Sequence, residues 1–156
     1  MSVDDAEFIV ELLNDASFLR FVGDKGVRTT EDAGRYNLTG PMDSYERHGF
    51  GLWLVELRGT TTPIGICGLL KRETLSDVDI GFAFLPQYRS KGYAYESAAA
   101  VMDYGRNVLG LRRIVAITDE GNVDSIRVLE KIGMSFDRMI RLSDDSPEIR
   151  LLVSDA

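Results

Sequence analysis

The sequence predicts a single α/β domain built on a mixed, mostly antiparallel central sheet with helices on both faces. Three observations predict it. Apolar, strand-forming segments follow one another between residues 50 and 85 with short turns between them, which favours an antiparallel meander. Strand and helix then alternate from residue 78 to residue 140, and such units require some parallel pairing. At 156 residues, the whole chain, 1–156, suits one domain with one core.

The elements read in order as follows. Residues 4–14 form a helix that Asp4 or Asp5 can cap, with Phe8, Leu12 and Leu13 on one side. Thr29-Thr30-Glu31-Asp32 opens a second helical region running toward Arg47, which Gly40-Pro41 is expected to split. Residues 50–57 alternate and are rich in strand formers, residues 60–63 turn, and residues 64–70 return as an apolar strand. Residues 78–85 are a third strand, ended by Pro86. Residues 92–108 carry the strongest helical pattern, with Ala94, Ala98, Val101, Met102, Gly105 and Leu109 on the period. A strand (113–118), a helix (122–132), a strand (135–140) and a closing strand (148–153) complete the chain.

Composition excludes several functions. A net charge of -7 repels nucleic acid and anionic lipid and suits a cationic partner such as an amine. No stretch is apolar and long enough to span a bilayer, and the opening residues Met1 to Ala6 have no basic-then-apolar signal pattern. The lone cysteine, Cys67, cannot form an internal disulfide, so a reducing cytoplasm is expected. His48 stands without clustered Cys, His or acidic partners, so no metal site is expected. Cys67 and Trp53 sit in apolar strands and read as core.

Chemistry concentrates where the third strand runs into the strongest helix, Asp79 to Ala94. A helix start has N–H groups without intrahelical partners and the positive end of the helix dipole, and it binds phosphate. Gly92 and Ala94 keep that approach open, while Arg89 and Lys91 add positive charge. Neither a loop ending in Gly-Lys-Ser/Thr nor a Gly-x-Gly-x-x-Gly is present, so a nucleotide triphosphatase and a dinucleotide fold are unsupported. On spacing alone, a phosphate grip and an ordinary glycine at a helix start are equally good readings.

The run Arg89-x-x-Gly92-x-Ala94 resembles the pyrophosphate-binding signature of the GNAT superfamily of N-acetyltransferases. The wider segment resembles its ribosomal-protein N-terminal acetyltransferase-like (RimJ/RimL-like) branch, through Asp79, Ile80-Gly81-Phe82, Pro86, Gly92-Tyr93-Ala94 and Glu96. A second match, Asn122-x-x-Ser125 followed by Val128-Leu129-Glu130-Lys131-Ile132-Gly133-Met134, resembles the next helix of the family. There are departures. Ser90 replaces a commoner glycine, and Ser135-Phe136 stands where Gly-Phe is frequent. The strand that usually precedes the first helix of this branch has no counterpart here: either it is truly lost, or the sequence is truncated or derived from a shortened gene model. Its loss would expose a sheet edge suited to pairing with a second subunit, a homodimer.

The resemblance implies the GNAT fold, acetyl-CoA as co-substrate and no metal. It implies that Phe84 and Leu85 offer backbone groups to the pantetheine arm, and that Arg89, Ser90, Lys91, Gly92, Tyr93 and Ala94 hold the pyrophosphate. Asn122 is either a helix cap or a cofactor contact. Ser125 is implied to hydrogen-bond the departing sulfur. No tyrosine occurs from residue 122 onward to act as the acid instead, which leaves Ser125 or a water. Asp79 is the first candidate for the base that deprotonates the amine, with Asp77 and Glu73 as alternatives and an exposed strand-end carboxylate as the bland reading. An α-amino group loses its proton near pH 7.7–8.0 and a lysine near 10.4, so a lysine costs roughly 3.5 kcal/mol more to deprotonate. The acceptor is therefore expected to be a primary amine, with a peptide N-terminus first and a small amine second. A non-catalytic acetyl-CoA sensor is the reading from another class. The acceptor segments, about 15–47 and 137–147, carry no legible motif.

Overall fold

The structure, a computed structural model, describes residues 1–155. A 3-10 turn, Val3–Asp5, leads into α1 (Ala6–Leu13). Asp5 stands at the N-cap of α1 without a side-chain cap bond, and the side-chain cap lies one turn earlier, at Ser2, on the 3-10 turn. Ser2 Oγ accepts from the Asp4 N–H (3.2 Å), and the Asp5 carboxylate accepts from the Ser2 N–H (2.8 Å). Phe8, Ile9, Leu12 and Leu13 are buried.

A short helix follows that the periodicity does not reveal, α2 (Ala16–Phe21). Six residues are too few to display a period. The helix forms because the Asp15 carboxylate accepts from the Ser17 and Phe18 N–H groups (3.1 and 3.2 Å) and Phe18 is buried beneath it. Helix α3 (Thr30–Asn37) starts at a capping box in which Thr29 and Asp32 exchange hydrogen bonds.

The expected break at Gly40-Pro41 does not occur. A π-helical turn, Leu38–Met42, carries the chain straight into α4 (Asp43–His48) with Pro41 buried inside it. The wider π turn makes room for the proline ring, and the Thr39 hydroxyl bonds the Arg35 carbonyl (2.8 Å) just upstream. Helix α4 ends at Gly49, which takes a left-handed φ of 77°.

Six strands form one sheet: β1 (Leu52–Glu56), β2 (Pro63–Leu70), β3 (Val78–Phe84), β4 (Arg113–Thr118), β5 (Ser135–Ile140) and β6 (Ile149–Asp155). Their order is β1-β2-β3-β4-β6-β5. All neighbours are antiparallel except β3 and β4. The last strand inserts between β4 and β5, so the final helical crossover joins strands that do not touch. No strand precedes Leu52 among the described residues. The fold is thus the expected mixed sheet.

Helices α1 to α3 cover one face through Leu52, Ile66 and Leu85. The other face carries α5 (Tyr93–Asn107) and α6 (Val123–Lys131), whose Ala98, Val101, Met102 and Leu129 pack on Cys67, Leu69, Ile80 and Ile114. Trp53 is half-buried and meets Tyr104 edge-on at 5.5 Å. His48 is exposed at the end of α4, stacked on Phe50. Cys67 is buried, which pushes its thiol up to about 12 and keeps it uncharged at neutral pH. No helix among the described residues is long and apolar enough to cross a membrane, and none of their His, Cys, Asp and Glu side chains group as a metal site.

Strands β3 and β4 touch at only two registered pairs, Val78 with Ile114 and Asp79 with Val115. Beyond Asp79 they diverge. That wedge opens toward the ends from which α5 and α6 begin.

Candidate active site

The N-terminal end of α5 is built to receive an anion. Gly92 precedes it at φ 86° and Ser90 sits at φ 59°, both left-handed. A Cβ at Gly92 would meet no protein atom, so the glycine is required by its backbone angle and by whatever occupies the open space. Ser90 holds the same region at a steric cost, a strain that clusters at ligand clamps. The helix has no side-chain cap. Among the described residues, the N–H groups of Ser90, Lys91, Gly92, Tyr93, Ala94 and Tyr95 donate to no protein acceptor. Six consecutive free donors at the positive end of a fifteen-residue helix form an anion cradle.

A cavity of about 400 Å³ joins this cradle to the wedge. Phe82, Ala83 and Phe84 line its floor, Ser90, Gly92 and Ala94 one end, and Asn122 and Ser125 the start of α6. The opposite wall is Ser17, Phe18 and Phe21 of α2 with Val22 just beyond it. The cavity therefore passes between the two helical layers, at the gap in the sheet.

The strand edge facing that gap can be read from the ladder. The Leu85 N–H donates to the Ile64 carbonyl across to β2 (3.0 Å). Alternation then turns the N–H and C=O of Phe84, Phe82 and Ile80 the other way, toward β4. Since β4 has diverged there, the backbone of Phe82 and the N–H of Phe84 face the wedge. The Phe84 carbonyl already accepts from Arg89 Nε (3.0 Å). Leu85 is buried, does not line the cavity, and uses its carbonyl on the Tyr88 N–H (3.0 Å).

Arg89 lines the cavity, but its guanidinium is engaged. Nη2 bonds Asp15 (2.6 Å) and Nη1 bonds the Ser17 hydroxyl (3.1 Å). Lys91 is exposed. Asn122 caps α6, its Oδ1 accepting from the Ser125 N–H (3.3 Å), and it lines the cavity as well. Residues that the sequence reading passed over also line it, chiefly Tyr95, Arg127 and Lys131. Arg127 and Lys131 lie four apart and so share a face of α6. No ion pair among the described residues involves Lys91, Arg127 or Lys131.

Asp79 sits at the apex of the wedge, in the last pair before β3 and β4 part. It is 1% exposed, unlike a free strand-end carboxylate. Arg72 Nε donates to both its oxygens (3.1 and 3.2 Å). Burial raises its carboxyl to about 6, against the partly offsetting pull of Arg72. It does not line the main cavity. It shares with Gly81 and Ala83 the face that α1 to α3 cover, three residues upstream of Phe82. Asp77 pairs with Arg113 (3.2 Å) and Glu73 is exposed in the β2–β3 turn; neither lines the cavity.

The residues present fit a coenzyme A thioester: an anion cradle, free strand edges beside it in a wedge, and unpaired cations at the side. A family model described as an acetyltransferase (GNAT) domain matches residues 1–135. Two proteins of Bacillus subtilis (strain 168), YkkB and the N-acetyltransferase YnaD, are each 33% identical to this chain; the matches cover 88% and 83% of it and 80% and 73% of theirs. Spermidine N(1)-acetyltransferase of Escherichia coli (strain K12) matches at 40% over 50 residues, 32% of this chain and 27% of that protein. Among solved structures, a GNAT-family acetyltransferase from Bacillus anthracis superposes with a TM-score of 0.78 at 26% identity, covering 99% of this chain and 91% of that one. The chain therefore belongs to the GNAT acetyltransferase family and is an acetyl-CoA-dependent N-acetyltransferase.

Proposed function

We propose that this chain acetylates a primary amine by direct attack, with a peptide or protein N-terminus as the first acceptor class. The observation that carries the site assignment is the row of six free N–H groups from Ser90 to Tyr95, opening into the wedge. Those donors hold the pyrophosphate, together with the backbone approach that Gly92 permits. The backbone of Phe82 and the N–H of Phe84 hold the pantetheine amides. Arg127 and Lys131 offer counter-charge to the phosphates. Acetyl-CoA supplies an acetyl thioester: the amine nitrogen bonds its carbonyl carbon, the carbon–sulfur bond breaks, and coenzyme A leaves as the thiol.

Asp79 is the proposed base. Its place at the apex of the wedge supports the role, and so does a carboxyl raised to about 6, which is ionised at neutral pH yet basic enough to take a proton through a water. Asp77 and Glu73 have no comparable position. Ser125, on the first turn of α6 in the cavity wall, is the proposed hydrogen-bond donor to the leaving sulfur. Asn122 holds that turn in place. The RimJ/RimL-like branch rests on the runs around Asp79 and Gly92. An N-terminal amine suits a water-relayed base because its pKa lies near neutrality.

A small polyamine is the second reading. It is favoured by the stretch shared with the Escherichia coli spermidine N(1)-acetyltransferase and by the net charge of -7. A thiol-release assay with acetyl-CoA and a panel of peptides, polyamines and amino sugars tests the proposal. Release with peptides bearing free N-termini, absent when they are blocked, supports the first reading. Release with polyamines alone supports the second. No release with any amine, despite tight acetyl-CoA binding, would leave a binding module and sink both.

A further inference from the structure

We propose that Arg89 is a positioning residue that fastens the α2 wall to the cofactor loop, so that cofactor binding orders the acceptor side of the cavity. The proposal rests on reading residues 89–94 as the cofactor loop. Its own basis is the geometry of one side chain. Arg89 Nε bonds the Phe84 carbonyl (3.0 Å), Nη1 the Ser17 hydroxyl (3.1 Å) and Nη2 the Asp15 carboxylate (2.6 Å). The partners lie more than seventy residues away in sequence for Asp15 and Ser17, and on the strand floor for Phe84.

The Asp15 oxygen that takes Arg89 is Oδ2, the same atom that accepts from the Ser17 and Phe18 N–H groups. One carboxylate oxygen thus starts α2 and anchors it to the loop. The pair is largely shielded, with Asp15 at 11% and Arg89 at 34% side-chain exposure. Three acceptors in three directions match the planar fork of a guanidinium, and an ammonium cannot reach all three. The charge that sequence reading allots to phosphate is therefore spent within the protein. The phosphate-facing work falls to the loop's N–H row, while the Arg89 side chain reaches across to α2.

The consequence is a coupling between the two walls. Helix α2 has only six residues and little of its own to hold it. Its Phe18 and Phe21, with Val22 at its C-cap, line the cavity from the layer opposite α5 and α6. A loop pinned by bound pyrophosphate presents Arg89 in one place, and Arg89 in turn holds Asp15 and the start of α2. With the loop free, α2 frays more often.

The test uses the full chain and coenzyme A itself as the probe. Asp15→Asn keeps a good helix cap but removes the charge that Arg89 grips. Arg89→Lys keeps the charge but loses the fork. Hydrogen exchange of residues 16–22 is measured with and without saturating coenzyme A, and the dissociation constant is measured by calorimetry. In the natural chain coenzyme A slows exchange of these residues. In both variants coenzyme A still binds within about threefold, but that added protection falls about tenfold, within the usual range of coupling between sites. In turnover, acceptor KM rises about tenfold while kcat stays within about threefold. Two results would overturn the proposal: protection unchanged in Asp15→Asn, or Arg89→Lys behaving as the natural chain. If the natural chain failed to bind coenzyme A at all, the loop reading would fall and this proposal with it.

Discussion

Asp79 joins stability and activity through one titration. Its folded pKa is raised, from an ordinary 3.8 to about 6, so the native carboxyl holds its proton more tightly than the unfolded chain does. The stability this group contributes is fully present below pH 3.8 and is lost as the pH rises through 6, a change of about 3 kcal/mol. Denaturant midpoints between pH 4 and 6 should therefore fall with rising pH more steeply in the natural chain than in Asp79→Asn. If Asp79 is the base, log kcat/KM rises with a slope near two below pH 6 and near one from there to the pKa of the amine. Asp79→Asn should lower the rate by about 10² to 10⁴ and leave a slope of one throughout. A variant that keeps the steeper limb would assign the base elsewhere. Ser125→Ala is expected to lower kcat about 10- to 100-fold, the worth of a hydrogen bond to a developing charge, with coenzyme A affinity unchanged by calorimetry. At this scale the sequence was informative for types and not for surroundings. The Asp79-Ile80-Gly81 run marked the carboxylate, but its partner Arg72 and its burial come from strand register, which no local pattern states. Arg89 looked like a phosphate cation because Asp15 is remote in the chain.

Elements differ in how much of themselves they announce. Helices α5 and α6 and all six strands stand within a residue or two of their sequence readings, because each has enough residues to show a period. Helix α2 does not, and it supplies one wall of the cavity. The π turn at Leu38–Met42 escaped for a different reason: proline predicts loss of one hydrogen bond, and a π turn tolerates that loss without ending the helix. The β2–β3 ladder carries a packing constraint of its own. A Cβ on Gly65 would lie 2.6 Å from the Ala83 carbonyl oxygen and would also clash with the Phe84 ring, which cannot move without reshaping the cavity floor. Gly65→Ala is expected to destabilise the fold by about 1–3 kcal/mol, the usual cost of overpacking. It should also weaken coenzyme A binding, whereas Gly34→Ala, in helical backbone where a Cβ would meet no atom within 4 Å, leaves that binding unchanged. Parallel denaturation curves and calorimetric titrations check both parts.

On the scale of the molecule, the sheet is two half-sheets joined by a short seam. Strands β1 to β3 form one half and β4, β6 and β5 the other, and only Val78–Ile114 and Asp79–Val115 pair across. Periodicity foretold the strands and the need for a parallel pair. It could not foretell how short that pair is, since the length of a pairing depends on where strands diverge in space. The acceptor was illegible for a related reason: its walls come from α2 and from loops whose side chains meet only on folding. The short seam has a thermodynamic consequence. A ligand seated in the wedge touches β3 on one side and the start of α6 on the other, so it bridges the halves where the protein itself does not. Binding to the folded chain alone adds about 2.7 kcal/mol at a ligand concentration one hundred times the dissociation constant. For a domain of this size that amounts to a rise in Tm of about 5–10 °C. Coenzyme A should produce that rise, and a free acceptor amine should not. Gly92→Glu, which sets a carboxylate in the anion cradle at a left-handed backbone position, should weaken coenzyme A by at least about 100-fold and abolish the shift. Were Gly92→Glu to show the same shift as the natural chain, the cofactor would be bound somewhere other than the α5 cradle, and the seam would owe it nothing.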